Sequence, residues 1–110
     1  MRNPDILITL AEEMRRPLEM YLKCRQVRER MERGLKTIFA ECFLEVEKGT
    51  IEERKSRALI HPRYIEAIAE LDMMEKKEVA ARVEYDNLHK SFDAYQSALS
   101  YDKEMLKKNM

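Results

Sequence analysis

The sequence predicts an all-α fold: a long antiparallel helical hairpin, coiled-coil-like, with a short N-terminal helix and a helical elbow between its arms. Three observations lead there. Residues 63–108 contain no Gly or Pro and place Tyr64, Leu71, Tyr85, Phe92, Leu99 and Leu106 at heptad intervals, with Ala67, Met74, Ala81, Leu88 and Tyr95 three residues further on. The first half carries a matching pair of rows: Leu7, Met14, Tyr21, Arg28, Leu35 and Cys42, then Leu10, Pro17, Cys24, Met31 and Ile38. Composition agrees, with two Gly, three Pro, no Trp and 38% charged residues in 110, a helical rather than a sheet balance. That length predicts one domain, residues 1–110, with arms at 4–48 and 63–108 and an elbow at 49–62.

Asn3 suits the N-cap of the first arm and Pro4 its first helical position. Pro17 removes an amide donor and crowds the preceding turn, so this arm is expected to kink or divide near Arg15. A short helix over 4–16 and a longer one over 17–48 follow from that. Gly34 weakens the longer helix by about 1 kcal/mol relative to Ala. Gly49 suits a left-handed cap after Lys48. Thr50 with Glu53 forms a capping box, placing a short helix over 51–59. His61 before Pro62 ends it and caps the second arm.

Charge is balanced overall, with 21 basic and 21 acidic residues, so no global excess points to a polyanion or a membrane. Locally it is uneven. Residues 15–36 hold eight basic and three acidic side chains, and residues 66–93 hold eight acidic and four basic ones. Folding back at the elbow sets the two stretches side by side, where flanking charges pair at about 0–1 kcal/mol each. Apolar side chains remain outside the seams, among them Leu18, Leu22, Phe39 and Phe43. A two-helix core is thin at this size, so self-association into a bundle or ring through this second stripe is expected.

Catalytic motifs are missing. The sequence has no phosphate-binding Gly loop, no nucleophile motif and no His pair at metal-ligand spacing, so neither an enzyme nor a cofactor or metal site is expected. Cys24 and Cys42 lie about 27 Å apart along a helix and cannot bridge within it. They read as seam hydrophobes, and free thiols without a leader segment fit the cytoplasm. No apolar run approaches a membrane span. The cations carry the remaining signal. Arg33 and Lys36 lie on the first arm, while Arg54, Lys55, Arg57 and Arg63 gather at the elbow beside His61 and Tyr64. Cations next to a ring suit a phosphate backbone and an unstacked base, and these eight are the candidate nucleic-acid contacts.

The stretches Phe43-Leu44-Glu45-Val46-Glu47-Lys48-Gly49-Thr50 and Leu88-His89-Lys90-Ser91-Phe92, continuing as Asp93-Ala94-Tyr95-Gln96-Ser97-Ala98-Leu99-Ser100, carry a resemblance. In order and pattern the chain resembles small phage recombination proteins of the UvsY-type recombination mediator family. The resemblance implies helical subunits that oligomerise, bind single-stranded DNA and help load a recombinase onto DNA coated by single-strand binding protein. It also implies the cytoplasm of a bacterial host. The family's Lys-Ala-Arg stretch before the elbow is replaced here by Phe39-Ala40-Glu41-Cys42-Phe43, so no contact residue carries over from it and the expectation falls on the elbow cations. The alternative is a helical adaptor, scaffold or inhibitor acting through protein contacts alone.

Overall fold

A computed structural model describes residues 2–109. The chain forms α1 (Asp5–Glu45), α2 (Ile51–Leu59) and α3 (Pro62–Asn109). Contacts gather into two compact units, Met1–Tyr21 with Val79–Met110, and Leu22–Glu78. Both long helices pass through both units, and within each unit α1 and α3 run antiparallel. In the second unit, partners descend along α3 as α1 rises: Arg28 meets Glu78, Phe39 meets Tyr64, Glu41 meets Arg63 and Glu45 meets His61.

Each helix starts where its capping chemistry lies. The Asp5 amide donates to Asn3 Oδ1 at 3.0 Å. The Glu53 amide donates to Thr50 Oγ1 at 3.2 Å, the N-cap bond of the expected capping box. At α3 the Arg63 amide donates to His61 Nδ1 at 3.1 Å and the Ile65 amide to the His61 carbonyl at 3.0 Å. His61 therefore caps the helix that Pro62 opens.

Two expectations about α1 are corrected. The helix runs unbroken through Pro17, so no separate N-terminal helix forms. Proline inside a helix costs about 3 kcal/mol. The offset here is burial, because Pro17 occupies a seam position and is buried, with Met14, Leu18 and Tyr21 half-buried around it. The helix also ends at Glu45 rather than Lys48. Gly49 does take a positive φ of 114°, but in the turn before Thr50, not directly behind the helix. Its missing Cβ matters, since one would stand 2.8 Å from Glu53 Oε2.

The heptad rows are the covered faces. All the α1 seam residues are buried or half-buried, as are Tyr64, Ala67, Leu71, Met74, Ala81, Tyr85, Leu88, Phe92, Tyr95 and Leu99 on α3. The aromatic rings of α3 thus face the seam. The buried residues are Cys24, Cys42 and Ala58 in the second unit and Pro17, Ala81 and Leu99 in the first, among the described residues. Both thiols are free. Leu106 departs from expectation and is 44% exposed. Asp102, four residues before it, already meets Arg2, which precedes the start of α1 at Asp5.

Each unit also carries one acid in the α3 seam, matched by an arginine. Arg28 donates through Nε and Nη2 to Glu78, and through Nη1 to Glu32 at 2.9 Å. The bonds to Glu78, then to Glu32, push the Arg28 guanidinium above its ordinary value. In the first unit the Arg2 guanidinium donates to Asp102 Oδ1 at 2.8 Å. Burial drives that carboxyl upward, but the hydrogen bonds and charge of Arg2 outweigh it and hold it below the ordinary carboxylate range. Tyr95 completes the end by donating its hydroxyl to the Asn3 carbonyl at 3.0 Å. Polar pairs inside an apolar seam discriminate between registers, because a shifted register would strand a charge.

Candidate nucleic-acid interface

The elbow cations have work inside the protein. An α-helix leaves its last carbonyls without intrahelical partners, and α1 ends without a basic residue in its own last turn. Arg54 of α2 donates there, through Nε to the Val46 carbonyl at 2.8 Å and through Nη2 to the Phe43 carbonyl at 3.4 Å, which also accepts from the Val46 amide at 3.2 Å. Its guanidinium carbon lies 4.3 Å from the centre of the Phe43 ring, so the same group adds a cation–π contact. Arg57 donates to the Lys48 carbonyl at 3.2 Å. Arg63 pairs with Glu41, and His61 Nε2 lies 2.6 Å from Glu45 Oε2. Tyr64 is edge-on to Phe39, ring centres 5.4 Å apart.

Of the residues expected at the elbow, Lys55 alone is exposed with no hydrogen bond or ion pair. Arg54, Arg57, His61, Arg63 and Tyr64 are drawn together as expected, but by the turn they hold rather than by a shared outward face. The four expected interface residues separate likewise. Phe39 and Phe43 are engaged by Tyr64 and Arg54, Leu18 is half-buried and Leu22 is 48% exposed.

The outer face of α1 in the second unit shows the opposite balance. Its carboxylates are all committed: Glu29 to Arg25, Glu32 to Arg28, Glu41 to Arg63 and Glu45 to His61. Lys23, Arg30, Arg33 and Lys36 are exposed and, among the described residues, meet no acid. Lys23 and Arg30 lie about 10.5 Å apart along the axis, and Arg30, Arg33 and Lys36 follow at about 4.5 Å intervals. Gln26, Thr37 and Glu29, the last paired with Arg25, share that face. The expectation named Arg33 and Lys36 here. It did not single out Lys23 and Arg30, which are exposed on the same helix at heptad spacing. It also missed Glu78 and Asp102, which sit seven residues beyond Leu71 and Tyr95 in the seam rows.

Lys36 further borders a groove of 490 Å³ lined by Glu32, Leu35, Phe39, Leu59 and Tyr64. The arrangement can bind anions and apolar groups. No helix among the described residues is long and apolar enough to cross a membrane. No family model, curated protein or solved structure matches the chain.

Proposed function

We propose that the protein is a non-enzymatic binder of single-stranded DNA, acting in the cytoplasm in the manner of a recombination mediator. Its protein partner in that role is a recombinase or a single-strand binding protein. One observation carries the reading: Lys23, Arg30, Arg33 and Lys36 form an exposed row without acidic partners, on a stretch whose carboxylates are all engaged elsewhere. Affinity then comes from counterion release, with little base readout. Oligomerisation belongs to the same reading. Leu22 and Leu44 are 48% and 70% exposed, and repeating the row in several subunits multiplies a weak contact.

Fluorescence anisotropy with a labelled deoxythymidine oligomer across a salt series tests this. With four phosphate contacts on a single strand, the log–log salt slope is about −3 per subunit, a loss of roughly fifty-fold between 50 and 200 mM. No binding at low salt would sink the proposal. It would leave the adaptor reading, supported by the exposed Ile65, Ile68 and Val79 on α3.

A further inference from the structure

The groove beside Lys36 has features that a phosphate track does not need. Its floor is Leu35, Phe39, Leu59 and Tyr64, with Leu59 52% exposed and the two rings braced edge to face at 66°. At 490 Å³ it falls within the range of small-ligand sites, enough for one or two large side chains. Most of the surface it offers is apolar, which favours aliphatic or aromatic anchors.

The rim has a sign. Lys36 lines the groove, and Lys55 lies one turn before Leu59 on the same face of α2, exposed and without an acidic partner. The lining carboxylate, Glu32, accepts from Arg28 at 2.9 Å, a guanidinium it shares with Glu78. An apolar floor with a cationic rim is complementary to acidic residues flanking an apolar anchor.

We infer that this groove docks an acidic peptide segment of another protein, its Leu or Phe side chain on Phe39, Leu59 and Tyr64 and its carboxylates on Lys36 and Lys55. The site shares Lys36 with the basic row, but its apolar floor of Leu35, Phe39, Leu59 and Tyr64 lies outside that row, and docking there does not depend on DNA binding. The test uses the full chain and a fluorescein-labelled peptide alternating Asp with Leu and Phe, beside the same peptide with Lys for Asp. The acidic peptide binds, and the basic one binds at least roughly tenfold more weakly. The pair Lys36→Glu and Lys55→Glu reverses that order. Leu59→Ser weakens the acidic peptide by a further factor of about ten, with helicity unchanged by circular dichroism.

Equal binding of both peptides, or binding indifferent to Leu59→Ser, overturns the inference. So does a concentration-dependent molar mass abolished by Leu59→Ser, which would assign the groove to a second copy. Oligomer binding lost with Leu59→Ser but retained without Lys23 and Arg30 would assign it to nucleic acid and overturn it equally.

Discussion

Arg54 and Arg33 are the same side chain in two opposite situations. Arg54 donates to the Val46 and Phe43 carbonyls and lies over the Phe43 ring, so its charge completes the end of α1. Arg33 stands on an exposed helix face with its neighbouring carboxylates taken by other partners. The elbow holds more cations in a short stretch, yet most of them are used in building the turn. The face of α1 holds them more sparsely, yet unneutralised. Density of charge in sequence is therefore a poor guide to charge offered to a ligand. What counts is whether a nearby carbonyl or carboxylate has claimed it.

The sharpest way to break that comparison is to neutralise each region in turn. Replacing Lys23, Arg30, Arg33 and Lys36 by Gln is expected to flatten the salt slope from about −3 toward zero, with little change in unfolding midpoint. If the oligomer still binds with the original slope, the contrast between the regions is wrong. Arg54→Ala is the mirror experiment. It leaves oligomer affinity of the folded protein unchanged but costs about 2 kcal/mol of stability in urea, through lost carbonyl bonds and the ring contact.

The two glycines sharpen the picture of the elbow with smaller, opposite effects. Gly49→Ala meets both a positive φ and the Glu53 side chain and is expected to destabilise by roughly 1–2 kcal/mol. Gly34 has nothing within 4 Å of a new Cβ, so Gly34→Ala stabilises by about 1 kcal/mol. Thermal unfolding of both variants settles the signs. The smallest effect is acid sensitivity at Asp102. Its folded carboxyl sits below its ordinary value, so the stabilisation is present above about pH 4 and fades as pH falls through the lower folded value. Asp102→Asn should lower the melting temperature at neutral pH and converge on the parent in acid.

How much of this was legible follows from the range of each interaction. Asn3, Thr50 and His61 are caps whose partners lie two to four residues away, so sequence alone places them. The heptad rows are likewise local patterns, and they mark the covered faces of both long helices. Pro17 defeated the local rule because its cost is offset by burial at a seam position. Leu106 defeated it because periodicity continues past the end of the opposing helix. The elbow misled for a related reason: Arg54 and Arg57 meet carbonyls eight to eleven residues back, and no composition count shows which carbonyl a side chain reaches.

By itself the sequence determined the helices, their caps and the seams that bring α1 and α3 together, since all of these arise from neighbours within a turn or two. Only the tertiary structure decided which charges are spent and which are offered. Arg28 with Glu78, Arg63 with Glu41 and Arg54 with the end of α1 are pairings across a fold, and a charge is neutralised by whatever stands beside it in space.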